Sequence, residues 1–168
     1  MKMEEHYIYQ EFKPYLNSCT PFEKTYIEQR LLSQIIWYDN SAIKKQDKYK
    51  HLTIASIIFT SIIPVLSLFT GYKYGIIATV LITLLSSASS VTLSIVNLCE
   101  YHKLWVEYRS TCEILKSILH RYFMKSNEFS SSDNEKTNLD LLISSSEEYM
   151  TKEFQTWTQL SHEYKKEQ

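Results

Sequence analysis

Between His51 and Cys99 the chain carries a single formal charge, Lys73, and this stretch limits the possible folds more than any other feature. Windows of about 19 residues over Leu52–Thr70 and Ile76–Ser94 average about +2 and about +1.8 in hydropathy, the range of membrane spans. Each reaches the length of about 20 residues needed to cross about 30 Å of hydrocarbon. A buried helical hairpin in a soluble protein would need more apolar surface around it than the rest of the chain offers. The polar residues 1–50 that come first speak against a cleaved signal peptide.

The rest of the composition agrees with a helical protein. The 168 residues include 2 Gly and 3 Pro against 13 Tyr, too few turn residues to close many hairpins. Basic and acidic residues nearly balance, 18 against 19, so bulk charge gives no reason to expect nucleic acid or an acidic substrate. Cys19, Cys99 and Cys112 fit no metal or redox spacing, and an odd count suits a reducing compartment. The fold class read from these features is an all-α membrane protein. It comprises a two-transmembrane helical hairpin and a cytosolic helical bundle formed by the N-terminal and C-terminal helices.

Boundaries follow from local signals. Residues 1–50 form an N-terminal cytosolic segment that starts loosely. Thr20-Pro21-Phe22-Glu23 then reads as a capping box with Pro at the first helical position, so a helix starts at about 21. Ile27, Leu31, Ile35, Tyr38 and Ala42 mark one face of it, and no breaker separates it from the first span. Residues 51–99 hold the hairpin, with spans at about 52–70 and 76–98 joined by the loop 71–75. Its Gly71 and Gly75 permit a reversal, and its Tyr72 and Tyr74 suit the headgroup level. Residues 100–168 hold cytosolic helices at about 100–125 and 139–166 with a polar linker at 126–138. Leu98, Tyr101, Trp105, Tyr108, Cys112, Leu115, Leu119 and Tyr122 alternate by three and four, a coiled-coil or packing seam on a helix expected to continue unbroken from the second span. Leu142, Ile143, Met150, Phe154, Trp157, Leu160 and Tyr164 mark the last helix. Lys44, Lys45, Lys48, Lys50, Lys103, Arg109 and Lys116 flank the spans, against Lys73 alone in the loop, which places both termini in the cytoplasm.

The second span is unusual in carrying hydroxyls at the depth of lipid tails. At about 100° per residue, Thr79, Thr83, Ser86, Ser90, Ser94 and Asn97 fall in one arc, and Thr53, Ser56, Thr60, Pro64 and Ser67 share one on the first span. Small residues four apart let helices approach closely, with hydroxyls bonded to their own backbone. A water-facing wall tolerates the same residues. Both readings stand from pattern alone. Two helices enclose no lumen, so a pore requires a homo-oligomer, and with no charge in either span it would select ions poorly. Pro64 removes one backbone hydrogen bond and allows a kink or a gating hinge.

Motifs for chemistry are missing. There is no phosphate-cradling Gly-rich loop and no His or Cys spacing for a metal. No nucleophile–base arrangement is assignable, so no catalytic residue, metal or cofactor is expected and the protein reads as a non-enzyme.

QIIWYDNSA (34–42) before the first span and LWVEYRSTCEILK (104–116) after the second resemble the SLATT family of two-transmembrane effectors associated with SMODS and SLOG proteins. The matching residues are Trp37, Tyr38, Asp39 and Ala42, then Trp105, Tyr108, Arg109, Glu113 and Leu115. The resemblance implies a bacterial anti-phage effector in the inner membrane that opens a pore or disrupts the membrane to stop growth, as in abortive infection. It implies an upstream sensor encoded separately, an enzyme that makes nucleotide signals or a reverse transcriptase, and leaves direct nucleotide or nucleic-acid binding open. Trp37, Trp105, Tyr108, Arg109 and Glu113 are candidates for assembly or signal coupling; interfacial anchoring and an Arg109–Glu113 pair one turn apart are their plainer roles. The rival functions are a non-conducting membrane scaffold or sensor subunit, and a holin-like toxin acting without a sensor.

Overall fold

The computed structural model describes residues 3–73, 75–130 and 137–151. Every regular element among them is helical. The chain divides into two compact units, one of residues 1–39 and 109–168, the other of residues 40–108.

The first unit buries its apolar side chains. A short 3-10 turn (Met3–Glu5) leads to α1 (Tyr7–Leu16), capped by His6, whose Nδ1 accepts from the Ile8 amide. Residues 3–16 are therefore not a loose start. Ile8, Phe12 and Leu16 recur every four residues and are almost wholly buried, one helical stripe that the charges of Glu11 and Lys13 and the ring of Pro14 obscure in the sequence. The predicted capping box is present: Thr20 accepts from the Glu23 amide, and Glu23 accepts from the Thr20 amide. It opens α2 (Pro21–Tyr26), which passes through a π-helical turn (Ile27–Leu32) into α3 (Ser33–Ser67). The expected face of Ile27, Leu31, Ile35, Tyr38 and Ala42 is buried.

α4 (Gly75–Leu98) and α5 (Tyr101–Phe123) are separate helices. The expected unbroken helix is interrupted at Cys99–Glu100, where Glu100 takes a left-handed φ of 44°, a conformation that costs a non-glycine residue about 1 kcal/mol. Only the later half of the predicted seam is core: Cys112, Leu115 and Leu119 are fully buried, whereas Leu98 is 84% exposed. α5 ends at Phe123, two residues short of the predicted 125. Phe129 sits buried in a 3-10 turn (Asn127–Phe129), and the last helix, α6, begins by residue 137 and is described to 151. Leu139, Leu142 and Met150 are buried on it; Phe154, Trp157, Leu160 and Tyr164 lie outside the described residues.

In the second unit, α3 ends at Ser67 and a run of turns replaces the predicted last helical residues 68–70. Gly75 has a steric reason: a Cβ there would run into the Thr70 backbone carbonyl, whereas Gly71 faces open space. Tyr74 lies outside the described residues. Two helices, within Pro21–Ser67 and Gly75–Phe123, are long and apolar enough to cross a membrane.

Candidate functional site

Within the second unit, α3 and α4 are joined by two of the predicted residues, Ser56 and Thr60, and by Ser89, which was not among them. Ser56 and Ser89 are buried, with their Oγ atoms 3.0 Å apart. Thr60 Oγ1 lies 3.0 Å from the same Ser89 Oγ and donates to the Ser56 carbonyl at 2.9 Å. Three hydroxyls thus satisfy one another between two apolar helices. Along α4 the inward face is Ala78, Ile82, Leu85, Ser89, Thr92 and Val96, buried or half-buried, stepping by four and three as knobs packing into a neighbouring helix do.

That face is not the predicted stripe. Thr79, Thr83, Ser86, Ser90, Ser94 and Asn97 are all exposed, centred about 110° away round the helix by its 100° periodicity. Thr79 donates to Gly75 O, Thr83 to Thr79 O and Ser94 to Ser90 O. On α3 the predicted arc divides. Thr53 is half-buried and Ser56 buried, while Pro64 and Ser67 are exposed. Sequence reasoning missed Ser89 because it counted hydroxyls, whereas packing follows Ala78, Ser89 and Val96, the residues small enough for close approach.

The first unit holds a buried charge. Asp39 is fully buried on α3. Its Oδ1 accepts from Arg109 Nη1 at 2.6 Å and from the Tyr7 hydroxyl at 2.9 Å. Arg109 also reaches Glu113 Oε1 at 2.7 Å through Nη2, so the predicted pair exists but is the outer arm of a larger cluster. On the other side, Nε2 of the buried His6 stands 3.5 Å from Asp39 Oδ2. Because His6 Nδ1 accepts the Ile8 amide, a neutral ring carries its proton on Nε2, toward Asp39. The cluster continues outward through Lys116 and Glu11 (3.5 Å) to His120 (2.8 Å). Burial raises the Tyr7 hydroxyl's pKa, and the hydrogen bond between Arg109 and Tyr7 raises that of the guanidinium. A charge taken from water in this way needs such partners, since an uncompensated one costs several kcal/mol, about 3 to 5 when a partner is removed. In the sequence Asp39 stood only among the residues that carry the resemblance, and nothing pointed to its burial or its partners.

The remaining predicted residues are dispersed. Trp37 is half-exposed and stacks edge-on against Tyr38. Trp105 packs edge-on against His102 in the second unit, and Tyr108 is half-buried there. The Cys112 thiol donates to Ile35 O, and burial, with help from Asp39 and Glu113, pushes its pKa up to about 11. It is a packing residue with little thiolate at neutral pH. Among the described residues no group of three or more His, Cys, Asp or Glu side chains could hold a metal ion.

The chain belongs to a family described as a protein of unknown function, DUF4231, whose model matches residues 33–137. No curated protein matches it. No solved structure does either.

Proposed function

We propose that this member of the family is a membrane effector: α3 and α4 cross the inner membrane with both termini in the cytoplasm, and copies assemble into a pore or membrane lesion. It acts when an upstream anti-phage sensor signals, halting growth, and the protein itself catalyses nothing. The observation that carries the reading is the orientation of α4. Its hydroxyl face turns away from α3, so whatever it meets lies outside the hairpin, and another copy's matching face, dry when closed and hydrated when open, accounts for it. The resemblance of segments 34–42 and 104–116 to SLATT effectors supports the same reading.

One observation favours the scaffold instead. Thr79, Thr83 and Ser94 already donate to their own helix, which suits a lipid-facing or closely packed helix that never meets water. Membrane potential separates the two. Cells carrying the protein with its native sensor, or a Ser90→Leu variant at equal membrane abundance, are challenged with phage and followed with a voltage-sensitive dye. Rapid depolarisation in the first strain, lost in the second, is the pore's outcome. Protection without depolarisation in either strain leaves only the scaffold.

A further inference from the structure

Where the middle of α3 passes the carboxyl-terminal end of α4, the second unit has a crevice of about 360 Å³ lined by Tyr49, Thr53, Asn97, Glu100, His102 and Lys103. Its walls combine groups that do not normally sit together on an apolar hairpin. The Thr53 Oγ1 is buried without a hydrogen-bond partner, an unfavourable state unless an acceptor or donor arrives. Beside the crevice, Trp105 packs on His102, and its buried Nε1 likewise lacks a partner. Lys103 and Glu100 stand 3.6 Å apart, each close to half exposed. A pair so open to solvent holds its partners weakly, and either charge is free to exchange. α5 opens at Tyr101, so its amino-terminal partial charge adds to that of Lys103. Lys45 and Lys48 lie over the Tyr101 ring at 5.6 and 6.0 Å.

We propose that this crevice binds the phosphoethanolamine head of a membrane phospholipid. Lys103 and the Thr53 hydroxyl take the phosphate, and Glu100 takes the ammonium. The inference rests on the reading that α3 and α4 span the bilayer, which sets the crevice at headgroup level, where tryptophan and tyrosine collect. Charge complementarity selects the head. The lining offers one strong cation beside one strong anion, which matches a zwitterion with an exposed ammonium. A phosphatidylglycerol head offers Glu100 only an uncharged hydroxyl, and a choline head cannot donate a hydrogen bond to it.

The test uses the full chain. Flotation with liposomes comes first; a chain that stays at the bottom of the gradient overturns the spanning reading and this site with it. The floating protein is then stripped of lipid in detergent and titrated with short-chain phosphatidylethanolamine, phosphatidylcholine, phosphatidylglycerol and inorganic phosphate, with bound lipid read by native mass spectrometry. Phosphatidylethanolamine should be held about tenfold more tightly than phosphatidylcholine, the worth of one charge-assisted hydrogen bond. Lys103→Gln and the near-isosteric Thr53→Val should weaken it, and Glu100→Gln should erase the preference over phosphatidylglycerol. Equal retention of all three lipids by the wild type overturns the site while leaving the spans intact, and that comparison needs no variant to fold. Displacement of the lipid by millimolar inorganic phosphate also overturns it, in favour of a soluble phosphate ligand.

Discussion

The two units of this chain solve opposite problems with the same helical elements. In the first, Ile8, Phe12, Leu31, Leu115 and Leu142 are hidden, and among the described residues the buried carboxylates, Asp39 and the capping Glu23, are both partnered. In the second, Ile57, Leu68 and Ile76 are 58%, 73% and 83% exposed, while Ser56 and Ser89 are buried. One unit is ordered as a protein in water is; the other is inverted. The apolar exterior of the second unit costs nothing in hydrocarbon and a great deal in water, so the two units are suited to different solvents.

Substitutions sharpen this contrast, and the largest effects belong to the water-adapted unit. Phe12→Ala should cost about 3 to 5 kcal/mol, the range for emptying a packed aromatic site. The loss should appear as a lower midpoint in chemical unfolding, with α1 detaching first in hydrogen exchange. Arg109→Leu should cost about 3 kcal/mol by leaving Asp39 buried beside Tyr7 and His6. Adding Asp39→Asn should recover part of that loss, and a double variant no better than the single would break the assignment of Asp39 as a buried charge.

In the inverted unit the adjacent serines should behave oppositely. Ser89→Leu forces bulk between α3 and α4 and should cost about 1 to 3 kcal/mol of hairpin stability, seen as a lower melting temperature in detergent. Ser90→Leu should leave that melting temperature unchanged. Equal effects at both positions would contradict the inward face assigned to α4.

The smallest effect concerns α6. Arg30 donates twice to Glu147, both at 2.8 Å, and Tyr26 lies within hydrogen-bonding distance of Ser146. The hydrogen bonds from Arg30 lower the Glu147 pKa. A depressed carboxyl binds protons more readily when unfolded, so its stabilisation is present above the ordinary glutamate pKa and lost as pH falls through the folded value. Glu147→Gln should cost about 0.5 to 1 kcal/mol at neutral pH, the scale of a solvent-exposed pair, and should flatten the acid limb of the stability curve. An unchanged acid limb in the variant would place that pH dependence elsewhere.

What the sequence disclosed depended on how locally each feature is encoded. The capping box at Thr20, the face from Ile27 to Ala42 and the two apolar stretches are set by nearest neighbours along one helix, and the structure reproduces them. The stripe of α1 was hidden because Glu11, Lys13 and Pro14 interrupt a pattern of only three fully buried positions. The break at Glu100 left no trace, since a glutamate carries no local preference for the left-handed φ it adopts. The Asp39 cluster joins residues from positions 6 to 120, and only its Arg109–Glu113 arm could be read from spacing. Rotation of α4 had the same limitation. A helical wheel finds which hydroxyls share a face, but only the fit of Ala78, Ser89 and Val96 against α3 decides which face turns inward.

The central claim is that α3 and α4 cross a bilayer as a hairpin, and cysteine accessibility tests it most directly. In a background lacking the native cysteines, Lys73→Cys and Ser126→Cys proteins are exposed in intact spheroplasts to a membrane-impermeant maleimide. The account predicts that Cys at position 73 labels at once, whereas Cys at position 126 labels only after the membrane is permeabilised. Equal labelling of both before permeabilisation, or protection of both, would contradict it.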